Sequence, residues 1–135
     1  MSTGWFLAAA VVSIILTSLS DWLFGGILFH TKYRTYPEIW RNPGGGKGEN
    51  QAVTWSVLLG VLSCVVFIYL TVWLNALSWE RALGLAVGVW LLAPLPLLVT
   101  NALFIKLHPL NTLSNALGWL VKLLICAIVT HLFWG

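Results

Sequence analysis

Charge is what this sequence has least of. Only 8% of its 135 residues are Asp, Glu, Lys or Arg, where a water-soluble domain carries about 25%, so the chain cannot cover itself with a surface that water wets. The net charge of +3 is too small to draw nucleic acid, and no nucleic-acid partner is expected. Cysteine is scarce too. Cys64 and Cys126 are the only two and both fall in apolar stretches, which argues against a disulfide framework and leaves them as small buried residues. His30, His108 and His131 are scattered over both ends of those stretches, so no metal-ligand spacing exists and no metal is expected. Nucleophile–base pairs with interpretable spacing are missing, which weighs against an enzyme, and no cofactor is expected. No internal repeat relates 1–74 to 75–135, a repeat many transporters show.

Apolar sequence is abundant instead. Hydrophobic residues make up 59% of the chain, gathered into stretches 5–29, 52–74, 82–105 and 113–134. Each is about 22 to 25 residues long, against the ~20 needed to cross ~30 Å of hydrocarbon. What remains is too short for a separate soluble domain. The expected fold class is therefore all-α: one polytopic membrane domain over 1–135, four transmembrane helices in an antiparallel bundle. The first stretch has no Lys or Arg before it and is too long for a signal-peptide core, so it is expected to be a retained helix.

Orientation follows from the basic residues. Lys32, Arg34, Arg41 and Lys47 lie in the 30–51 loop and Lys106 in the 106–112 loop, while the opposite side holds Arg81 alone. The positive-inside rule places both loops in the cytoplasm and both termini outside. The predicted location is a bacterial cytoplasmic membrane, with the lipid bilayer as the first partner. Trp5, Trp73, Trp79 and Trp134 fall at the outer ends of their spans, as an interfacial belt requires; Trp40, Trp55 and Trp119 would form the inner one. In the long loop, Pro37 to Arg41 reads as a short interfacial turn. The run Gly44-Gly45-Gly46-Lys47-Gly48 fails as a phosphate loop, lacking a preceding strand and a Ser or Thr after the Lys. It reads as a flexible tether.

Two charges lie within the spans, Asp21 in the first and Lys122 in the fourth. At ~1.5 Å per residue they sit roughly 12 and 13.5 Å from the same membrane face, so they should meet. A charge at mid-bilayer costs about 2.5 to 3.5 kcal/mol, and such residues pair or mark a pathway. Small and polar residues recur around them at helical spacing: Ser13, Thr17, Ser20 and Asp21 on the first span; Ser56, Gly60, Ser63 or Cys64, and Thr71 on the second; Asn111, Asn115, Gly118, Lys122 and Cys126 on the fourth. The third carries Gly84-x-x-x-Gly88, a close-approach motif, and Pro94 with Pro96, which should kink it. Asn101 lies near its inner end.

The segment from Trp22 to Arg41, with Phe29, Lys32 and Trp40-Arg41, is followed downstream by Thr100-Asn101-Ala102-Leu103-Phe104 and Gly118-Trp119-Leu120-Val121. Together these resemble the small four-helix membrane proteins grouped as domain of unknown function 1761, over nearly the whole chain. The resemblance implies a four-helix integral membrane protein and a common role for Trp22, Trp40 and Asn101. It brings no established activity, and Asp21 and Lys122 lie outside the motifs that carry it.

Two functions are expected from these residues. One is small-molecule or ion passage along a polar seam of Asp21, Lys122, Asn101, Asn115, Thr17 and Trp22. The alternative is an accessory or scaffold subunit, with Asp21–Lys122 as a structural ion pair. In that case Gly84, Gly88 and Trp40 would face a second copy or another membrane protein.

Overall fold

Apolar stretches this long can satisfy their backbone groups without water as helices, and helices form. The structure is a computed structural model that describes residues 3–23, 47–105 and 109–135. Among these residues the elements are α1 (Thr3–Asp21), α2 (Lys47–Trp73), α3 (Trp79–Leu92), α4 (Pro94–Phe104) and α5 (Pro109–Trp134). They supply four helical stretches long and apolar enough to cross a membrane: Thr3–Asp21, Thr54–Trp73, Trp79–Phe104 and Pro109–Trp134. Trp40, the turn expected at Pro37 to Arg41, and Gly44 to Gly46 lie outside the described residues. Lys47 and Gly48, assigned above to a tether, instead open α2. Hydropathy marks where a span is apolar, and a helix can run past that point into polar sequence.

Local sequence explains the boundaries. α2 stops in a Schellman motif: the Ala76 N–H donates to the Thr71 carbonyl and the Asn75 N–H to that of Val72, with Asn75 at φ 54°. Asn is the non-glycine residue best suited to that left-handed position. Ser78 then caps α3, its hydroxyl accepting from the Arg81 N–H at 3.3 Å, while Glu80 places an anion in the positive first turn. The third span is interrupted at Ala93 (φ −132°, ψ −64°). Pro94 and Pro96 cannot donate to the Trp90 and Leu92 carbonyls, so the helix ends and restarts with Pro94 in its first turn.

α5 is the hub. It packs against each of the other four helices, whereas α1 otherwise meets α2 and α3 otherwise meets α4. Its central position follows from its inner face, where Ala116, Cys126 and Ala127 are small enough for close approach. Ala10 of α1, Cys64 and Ile68 of α2, and Ala82 and Ala86 of α3 complete that core. α4 buries nothing. At one end of the bundle Trp5 contacts Phe133, with ring centroids 4.8 Å apart, and its indole N–H donates to the Phe133 carbonyl. Trp79 lies against His131 at the same end.

The distribution of side chains is inverted relative to a soluble protein. Leu92, Leu103 and Phe104 are 79%, 77% and 85% exposed, while Ser13, Thr17, Thr71, Ser114, Lys122 and Thr130 are buried. Large apolar residues outside and polar ones inside is the arrangement a hydrocarbon solvent rewards.

Candidate functional site

The polar interior is assembled by three helices. Thr17 and Asp21 lie one turn apart on α1, Gly60 and Cys64 one turn apart on α2, and Ser114, Gly118, Lys122 and Cys126 are spaced by four on α5, so each set shares a face. These faces converge. Lys122 Nζ lies 3.0 Å from Asp21 Oδ2, with the lysine side chain 9% exposed and the aspartate 50%. The ammonium also sits 4.7 Å from the centre of the Trp119 ring, within cation–π range. Gly60 makes room for it: a Cβ there would stand 3.3 Å from Nζ.

Polar contacts lie alongside the ion pair. The Thr17 hydroxyl donates to the Ile14 carbonyl at 3.2 Å and stands 3.3 Å from the Cys64 sulfur. Cys126 of α5 belongs to the same buried cluster as Cys64. Other interior hydroxyls close on their own helices: Thr71 donates to Phe67 O and Thr130 to Cys126 O, each at 2.7 Å. Among the described residues, Ser20 Oγ, Asn111 Oδ1 and Thr112 Oγ1 are buried without a hydrogen-bond partner, and buried groups left this way call for an explanation.

The structure thus brings together Asp21, Lys122 and Thr17 from the expected seam. Trp22, one residue beyond Asp21, is 61% exposed and lies where α1 widens into a π-helical turn. Asn101 and Asn115 are exposed, and Ser114 takes the inward position on α5. Gly84 and Gly88 point away from the core, with open space where a Cβ would stand. Trp119 stands against Lys122, a cation–π contact that was not legible from spacing alone. The contact between Cys64 and Cys126 was equally hidden. On the far side of the α2–α5 contact is an apolar pocket of about 220 Å³, lined by Ser63, Phe67, Pro94, Trp119 and Leu123 among others. It is separate from the Thr17–Cys64 contact.

Comparison with protein-family models, curated proteins and solved structures gives no match.

Proposed function

We propose that this chain is a non-enzymatic integral membrane protein whose polar seam serves the passage of a small molecule or ion. In this reading the four spans form an antiparallel bundle, with both termini outside and the 30–51 loop in the cytoplasm. The ends of α1 support that arrangement, since Trp5 meets the last turn of α5 while Asp21 meets its middle. The resemblance to the domain of unknown function 1761 family agrees with the bundle and adds no activity.

One observation carries the passage reading: Asp21 is half exposed while its partner Lys122 is buried. A pair that only locked two helices would gain most from being closed on both sides, and this one is open at the carboxylate. Ser20 beside it leaves a buried hydroxyl unpartnered, as groups do where water or solute visits. The test is solute and ion flux in liposomes for the full chain and Asp21→Asn. Altered flux is expected, and equal flux in both would remove the reading.

A second reading has its own support. α4 buries no residue and Gly84 and Gly88 stand open on α3, a surface suited to close helix contact with a second copy or a larger membrane complex. Crosslinking in native membranes tests it, and monomer alone would count against it.

A further inference from the structure

The apolar pocket between α2, α5 and the break in the third span takes no part in the polar seam. Ala93 and Pro94 of the break line it together with Phe67, Leu123 and Trp119. Its lining runs from the outside of the bundle to the packed interior. Val66, which also lines it, is 53% exposed, whereas Phe67 and Leu123 are each 4% exposed.

The chemistry of the lining selects a ligand without hydrogen-bonding groups. No charged side chain lines the pocket, and Ser63 is the one hydroxyl in it. That hydroxyl donates to the Leu59 carbonyl of its own helix at 3.0 Å. At the break the Ala93 N–H donates to the Val89 carbonyl at 3.2 Å and the Ala93 carbonyl accepts from the Leu97 N–H at 3.0 Å, while Pro94 has no N–H to offer. Size narrows the choice further. An apolar cavity of ~150 Å³ stays dry and takes a molecule such as benzene, so the 220 Å³ here is room for hydrocarbon rather than for water. It is also below the ~300 Å³ at which sites for drug-sized molecules begin, which excludes sterols, quinones and other fused or substituted ring systems. A slender chain fits.

We infer that this pocket binds the terminal segment of one acyl chain of a bilayer lipid. Depth agrees with that occupant, because Ser63 lies near the middle of the span Thr54–Trp73, where a bilayer holds only the ends of its chains. Entry is sideways, past Val66, and needs no path through the seam. The inference rests on the membrane placement proposed above and not on whether the seam conducts. A bound chain packs against the same Trp119 ring that stands 4.7 Å from the Lys122 ammonium, so it braces the ion pair from the lipid side.

The test uses the full chain reconstituted in phosphatidylcholine liposomes that contain a phosphatidylcholine with a diazirine near the methyl end of one acyl chain. Illumination is followed by mapping of the adducts by mass spectrometry. Adducts are expected on Phe67 and Leu123, which bulk lipid does not reach, as well as on the outward Leu103 and Phe104, which are 77% and 85% exposed. Ser63→Leu and Ala93→Leu fill the pocket and should each lower the Phe67 and Leu123 adducts several-fold while leaving those on Leu103 and Phe104 unchanged. Adducts confined to outward residues, or undiminished Phe67 and Leu123 adducts in both filled variants, would overturn the site. Absence of adducts on Leu103 and Phe104 as well would overturn the membrane placement, and the site with it.

Discussion

Lys122 Nζ and Asp21 Oδ2 are 3.0 Å apart, yet the lysine is almost wholly buried and the aspartate half exposed. Removing either partner should therefore have unequal effects. Asp21→Ala strands an ammonium in the interior and is expected to cost about 3 kcal/mol, the lower end for breaking a buried pair. Lys122→Met leaves a half-exposed carboxylate, and if the seam admits water as proposed it is expected to cost about 1 kcal/mol, nearer the value of an exposed pair. The double variant should fall close to Lys122→Met. Thermal unfolding of the four proteins in one detergent gives the order, and equal losses for the two single variants would contradict it.

Gly60 holds the ammonium's place from the α2 side. Gly60→Ala puts a methyl 3.3 Å from Nζ, which a lysine tip can relieve by a small shift. Its net effect should stay within about 1 kcal/mol, since Ala is the better helix former by a similar amount. Gly60→Val adds branches where the ammonium sits and should cost about as much as Asp21→Ala. If Val were tolerated like Ala by thermal unfolding, Lys122 would not be confined as described.

Topology is open to labelling with a membrane-impermeant maleimide. Thr3 and Gln51 are exposed, and the native cysteines are buried, so background reaction should be low. Thr3→Cys should react from outside intact cells and Gln51→Cys after permeabilisation alone. The reverse pattern would invert the orientation drawn from the basic residues.

Gly84 and Gly88 should behave differently from Gly60. With nothing within 4 Å of a Cβ at either position, Gly84→Leu and Gly88→Leu should leave the single chain as stable as before or slightly more so. If this face meets a second copy, the same variants should reduce the crosslinked dimer several-fold. Unchanged crosslinking would direct attention to α4 instead.

Much of this interior was legible because helical periodicity is simple. Charges placed at matching depths in two spans pointed to each other, and spacing by four residues marked Thr17 with Asp21 and Lys122 with Cys126. The interruption of the third span was written in Pro94 and Pro96. Contacts between spans were a different matter. Which face of α5 meets α2 depends on rotation about each helix axis, and that is fixed by the fit of Gly60, Ala10 and Ala127 rather than by any one residue type. Hence the meeting of Cys64 with Cys126, and of Trp119 with Lys122, emerged only in three dimensions. Asn115 shows the same limit, since spacing by three and by four both continue the stripe and packing chose Ser114.

That α5 touches every other helix also constrains the order of assembly. It follows the other four in the chain, so if the spans insert as proposed, α1 to α4 wait in the bilayer without the helix that joins them. Throughout that interval Asp21 lacks Lys122 as its counter-charge. The nascent protein is then most exposed to membrane quality control before α5 emerges, and a chain stalled within α5 ahead of Lys122 should be degraded faster than one stalled just after it.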